Sequence, residues 1–200
     1  MVYDNVKELL SELKQIHPDL KLISTELIVV GNWVSLKCRY GCRNYGRHFC
    51  CPPFVPTPEE MRLILKEYQC SVLVKIEIPA VRGSTKDQAR AVVLDSKKNL
   101  QKIVYEMERC AFLSGYYKAF AMASSPCHLC QTCIAEERLE KGETLSPNDA
   151  LSCRNKKIMR PSMEACGIDV FWTVRNAGFN PRVLKNYSES VEIIGLVLLD

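Results

Sequence analysis

The order of strand-like and helix-like segments predicts an α/β fold, a single domain over residues 1–200 with a mixed sheet flanked by helices. Three observations carry that expectation. Thr57-Pro58-Glu59-Glu60 and Thr85-Lys86-Asp87-Gln88 each place a hydroxyl at a helix N-cap and an acid or amide three residues on, the pattern that opens a helix. Ser71 to Ile78 and Val191 to Leu198 are β-branched, apolar runs of strand length. From Pro126 to Cys153 the chain turns polar and cysteine-rich and loses apolar periodicity, so residues at about 124–160 read as an excursion from the main core.

In chain order, Val6, Leu9, Leu10, Leu13 and Ile16 recur at helical spacing until Pro18, which predicts a helix over residues 3–17. Leu27 to Val30 and Val34 to Leu36 read as strand and lead into Cys38, so the first cysteine group is expected at a strand end. Thr57 then caps a helix reaching about Gln69, with its N-terminus against that group. Thr85 caps a long helix whose apolar face runs through Ala89, Val92, Val93, Leu100, Ile103, Val104, Met107 and Ala111. Tyr117 to Ala123 is a third strand, again ending at cysteines, so both groups fall at the C-terminal sheet edge, where they can be neighbours. A short helix from Pro161, another over Val170 to Ala177 closed by Gly178, and the last strand complete the chain.

A chain of 200 residues at 47% apolar content buries a core without covalent staples, so its eleven cysteines need another reason. An odd number of them in tight local groups is a poor disulfide framework and suits thiolate chemistry in a reducing compartment. Asp4, Lys7, Glu8, Glu12 and Lys14 interrupt any signal-peptide core, and no apolar run approaches a membrane span, so a soluble, cytoplasmic protein is expected. A net charge of +4 is mild, and nucleic acid is not an expected partner.

Cys127-His128-Leu129-Cys130-Gln131-Thr132-Cys133 is a Cys-x2-Cys-x2-Cys run followed by a distant Cys153. Three thiolates at that pitch wrap three corners of a cubane and a remote fourth closes it, the arrangement of ferredoxins; zinc is the competing metal, although Cys153 lacks the close partner of a zinc knuckle. Cys166 is an alternative fourth ligand or a buried structural cysteine.

The earlier group is Cys38-Arg39-Tyr40-Gly41-Cys42 with Cys50-Cys51-Pro52-Pro53. Side chains of adjacent cysteines diverge, and a proline after a ligand holds its turn, which favours Cys51 over Cys50. Cys38, Cys42 and Cys51 then leave one corner for Cys50, an outside group or an open iron. Arg39, Arg43, Arg47 and His48 near this group, and Arg154, Lys156, Lys157 and Arg160 after the other, are expected to offset the charge of a bound cluster. Tyr40, Tyr45 and Phe49 are expected to pack around the first site, His128 beside the second, and Cys70 and Cys110 in the core. No Gly-rich phosphate loop, Gly-x-Ser-x-Gly elbow or Cys-x3-Cys-x2-Cys triad occurs.

The segments CRYGCRNYGRHFCCPP at 38–53, CHLCQTC at 127–133 and CRNKKIMRPSMEACGIDV at 153–170 together resemble the predicted metal-binding proteins of domain-of-unknown-function family 2284, over nearly the whole chain. That resemblance implies two ligand sets, Cys38, Cys42 and Cys51 in one and Cys127, Cys130, Cys133 and Cys153 in the other; the position of Cys50 is usually not cysteine in this pattern. The expected function is an iron-sulfur protein holding up to two [4Fe-4S] clusters and passing electrons to a redox partner protein. Two alternatives stand beside it: an enzyme whose open-site cluster binds sulfide or substrate, and a zinc-organised interaction module.

Overall fold

The computed structural model describes residues 2–80, 85–186 and 189–200, with side chains from residue 6 onward, so the side chain of Asp4 lies outside the described residues. The first helix, α1 (Val2–Ile16), buries Val6, Leu9 and Leu13 as their spacing requires. It leads into β1 (Leu20–Ser24), a strand the sequence reading did not include. The segment read as strand at Val34 to Leu36 is instead helical: α2 (Asn32–Gly41) begins after Gly31 and buries Val34. Its β-branched start resembles a strand locally, but Val34, Cys38 and Cys42 stand at i, i+4 and i+8, one face of a helix.

Thr57 opens α3 (Pro58–Leu65) with the expected capping box, in which Glu60 N–H donates to Thr57 Oγ1 and Thr57 N–H to Glu60 Oε2. β2 (Cys70–Ile78) and α4 (Lys86–Leu113) follow; Thr85 and Gln88 form the second capping box. β3 (Phe120–Met122) is shorter than expected, and the excursion beyond it contains α5 (Ile134–Glu140) and a 3-10 turn at Pro147–Ser152. A 3-10 turn at Glu164–Cys166, α6 (Val170–Asn176) and β4 (Val191–Leu199) complete the order.

The four strands run β1-β2-β4-β3, and every pair is antiparallel. The α/β single domain is as expected, but the sheet is not mixed. The only parallel pairing among the described residues is the single bridge between Ala123 and Ser162. Alternating helices and strands suggested a mixed sheet, but the one pair of consecutive strands that runs the same way, β2 and β3 joined through α4, is separated by the antiparallel β4.

Both faces of the sheet are covered, which explains why β4 is apolar at almost every position. Val72, Val74, Ile193, Val197 and Leu199 face α1 and α4 with Leu9, Leu13, Leu100, Val104 and Met107, while Leu73, Ile194, Leu196 and Leu198 face Met61, Met163, Cys166, Ile168 and Val174. Each fully buried leucine or methionine here contributes about 1.5–3 kcal/mol. At Gly195 an added Cβ would stand 2.6 Å from Val104 Cγ1, so the absence of a side chain lets α4 approach the sheet. One face therefore carries a regular helical layer. The other carries α3, α6 and the turn that reaches the cysteines.

Candidate metal centre

The end of β3 is tied to the segment before the Glu164–Cys166 turn. Ala123 N–H donates to Pro161 O at 2.8 Å and Met163 N–H returns a bond to Ala123 O at 3.1 Å, so Ser124 to Cys127 leave the sheet beside Ser162 and Glu164. The far side of that turn is tied to the entry of α2: Val30 bridges Ile168, Gly31 N–H donates to Gly167 O at 2.9 Å, and Asp169 N–H donates to Val29 O at 2.7 Å. Gly167, in the left-handed region at φ 82°, ends the turn. These ties fix Cys38 and Cys42 on one side and Glu164 on the other.

Cys38 lies in the last turn of α2, and Cys42 is its C-cap residue. The chain then folds back through Gly46, whose N–H donates to Pro52 O at 2.8 Å, and Cys51 N–H donates to His48 O at 2.9 Å. As a result Cys38, Cys42 and Cys51 line one cavity of about 250 Å³, together with Tyr45, Lys97, Ser124 and Glu164. Burial pushes the Cys38 thiol up, and Cys42 and Glu164 add to the shift. Cys38, Cys42 and Glu164 also border a larger cleft of about 730 Å³ that runs past Trp33, Lys37, Phe179 and Arg182.

A second, small cavity is lined by Cys127, Cys130, Cys133 and Cys153, and a fifth cysteine, Cys50, joins them. Cys133 is the N-cap of α5 and Cys153 ends the 3-10 turn, so the secondary elements of the excursion start and stop at these thiols. Cys127 N–H donates to Cys50 Sγ at 3.0 Å, and Asn155 Nδ2 donates to Cys130 Sγ at 3.0 Å. Burial pushes Cys127 up to about 12, with Cys50, Cys153 and Cys130 as further causes, and the adjacent Cys51 together with burial pushes Cys50 well up. A bound metal takes the place of those protons. Among the described residues, no group of three or more His, Cys, Asp or Glu side chains stands placed to hold a metal ion. The cysteines share cavities without being closed around a point.

Other expected roles change. Cys166 is fully buried among core side chains, as the structural reading of it requires. Cys70 and Cys110 are half-buried at the margin of the core. Phe49 and Tyr45 line the cavities, but Tyr40 is 79% exposed and packs around nothing there. Thr57 lines neither cysteine cavity; the start of α3 reaches the first site only through Pro58, which packs close to Gly167 at the end of the turn that carries Glu164. Two arginines expected as counter-charges are committed elsewhere, Arg47 to Glu136 at 2.8 Å and Arg160 to Glu108, whereas Arg154 pairs with Glu137 at 2.5 Å and also lines the four-cysteine cavity beside Cys130. They clamp the excursion. Arg138 joins α5 to the neighbouring 3-10 turn through Asp149 at 2.7 Å, and this pairing, with Ser146, holds the Asp149 carboxyl down to about 2. The sequence reading missed Asn155 and Glu164 as site residues, because only the tertiary fold brings Asn155 to Cys130 and Glu164 to Cys38.

The family model described as "Predicted metal-binding protein (DUF2284)" matches residues 21–199. The chain belongs to this family. No curated protein and no solved structure matches the chain. For this DUF2284 member, metal binding is thus the property predicted for its family, and the cysteine-lined cavities are where its thiols gather. Among the described residues no helix is long and apolar enough to cross a membrane.

Proposed function

We propose that this protein is an iron-sulfur protein that binds two [4Fe-4S] clusters and passes electrons through them to a redox partner protein. Cys127, Cys130, Cys133 and Cys153 would hold one cluster, and Cys38, Cys42 and Cys51 the other. The observation that carries the reading is the division of the Cys50-Cys51 pair. Cys50 lines the four-cysteine cavity and Cys51 the three-cysteine cavity, so the two sites are joined by one peptide unit, with about 3.8 Å between the two Cα atoms. When bound, such clusters supply reversible one-electron chemistry. The chain's own groups would set their surroundings: Asn155 and the Cys127 N–H direct hydrogen bonds at sulfur, and buried Phe49 excludes water.

A specific observation favours a second reading, in which the three-cysteine centre is an open site of an enzyme. Cys38 and Cys42 border the cleft of about 730 Å³, a volume suited to a small-molecule ligand. An electron carrier has no use for such a cleft. A zinc-organised interaction module remains the alternative that a thiolate donor set permits.

Substitution at the divided pair tests the two-site arrangement. Cys51→Ser is expected to deplete the three-cysteine centre and leave the other, whereas Cys50→Ser keeps both centres and alters the electron paramagnetic resonance signal of the four-cysteine one. Identical effects of the two substitutions on both signals would contradict the division.

A further inference from the structure

We propose that the Glu164 carboxylate is the fourth, non-thiolate ligand of the three-cysteine centre, placed where an incoming small molecule can displace it. This rests on the reading of that centre as a cluster site. The first ground is position: Glu164 lines the same cavity of about 250 Å³ as Cys38, Cys42 and Cys51, and is the sole carboxylate there among the described residues. The second is an orphaned atom. Glu164 Oε2 is buried and has no hydrogen-bond partner among the described residues, although Ser162 and the residue's own backbone N–H hold the carboxyl in place. A buried carboxylate oxygen left without a partner is unfavourable, and a bound metal removes that cost.

The third ground is rigidity. Glu164 starts the 3-10 turn that is bonded on one side to β3 through Ala123 and on the other to α2 through Gly31 and Gly167, so the carboxylate is held against the helix that carries Cys38 and Cys42. Burial pushes the Glu164 carboxyl up, and Lys97, which lines the cavity as well, offsets this only in part and forms no ion pair with Glu164 among the described residues. Three thiolates and one carboxylate make four donors.

The same residue sits at the junction with the larger cleft, whose wall includes Cys38, Cys42 and Glu164. Oxygen is the weaker donor for a thiolate-bound iron, so this corner is the one a stronger ligand can take. The cleft combines aromatic surface from Trp33, Phe171 and Phe179 with a charged lining of both signs, in which carboxylates outnumber cations. Its chemistry fits a small molecule with a flat apolar body and a thiol or sulfide sulfur that reaches the iron.

The test compares wild type with E164Q after anaerobic loading with iron and sulfide, and reads iron release during titration with ferricyanide. Oxidation of a four-iron cluster to the three-iron form takes one electron, which passes to ferricyanide, and releases one Fe²⁺. E164Q is expected to release that iron about tenfold faster or more from the three-cysteine centre, because a lost metal contact costs at least as much as a lost supporting contact. Its resonance signal should also respond to added 2-mercaptoethanol at lower concentration than the wild-type signal. The four-cysteine centre, unchanged, reports that the variant is folded.

Equal release rates and equal thiol responses in the two proteins overturn the role of Glu164 alone. A wild type that loads no cluster at the three-cysteine site overturns the proposed function and this role with it. If E164Q loses both centres, E164D decides: it keeps the charge but withdraws the carboxylate by one methylene, so faster release supports the assignment and an unchanged rate overturns it.

Discussion

Cys130→Ala is expected to remove about half of the bound iron while the protein stays folded. Cys130 shares its cavity with Cys127, Cys133, Cys153 and Cys50, and these thiols are mutually dependent because each holds the same metal group. The three-cysteine cavity has its own walls, α2 and the Glu164–Cys166 turn, and the sheet core contains none of the cysteines of the excursion. The check is iron content per chain together with the far-ultraviolet circular dichroism spectrum. Unchanged iron would refute Cys130 as a ligand, and loss of all iron with loss of helix signal would refute the independence of the two sites.

Gly167→Ala is expected to destabilise the protein by about 1–3 kcal/mol and to loosen the three-cysteine centre at the same time. Gly167 adopts φ 82°, which a side chain disfavours, and a Cβ there would stand 2.7 Å from Pro58 Cγ and 3.2 Å from Pro58 Cα. Pro58 is held by the capping box of α3, so the turn must move instead, and with it Glu164 and the bond from Gly31 to Gly167. Urea unfolding of the metal-free chain measures the first effect, and iron retention at the three-cysteine site measures the second. A midpoint equal to wild type would show that the turn tolerates the side chain and that the argument from close approach is wrong.

These expectations differ in how far the sequence alone supports them. Capping boxes at Thr57 and Thr85 are local signals, and both helices begin there. The central strands were legible because β-branched runs at Ser71 and Val191 have no helical alternative. The stretch before Cys38 was misread because Leu27 to Leu36 is apolar at nearly every position, and such a run does not distinguish strand from helix until its long-range partners are known. β1 is five residues long and lies just after Pro18, too short to announce itself. Strand direction is a property of pairing, so the antiparallel sheet could not be read from element order.

The cysteine groups were legible from spacing, and the structure divides them along the same line, with Cys50 added to the later group. Glu164 was not legible. Nothing distinguishes one glutamate in a Met-Glu-Ala-Cys run from a surface residue until the bridge between Ala123 and Ser162 brings it to the thiols. Arg47 and Arg160 misled for a related reason: their charge is local, but the acids they meet, Glu136 and Glu108, belong to other elements.

The central claim, that the two cysteine cavities hold iron-sulfur clusters joined through Cys50 and Cys51, is tested most directly by counting metal and acid-labile sulfide in protein purified without exposure to air. Two four-iron clusters predict about eight iron and about eight sulfide per chain, in a brown solution that dithionite bleaches. Stoichiometric zinc with no labile sulfide would contradict the account and leave a zinc-organised module in its place.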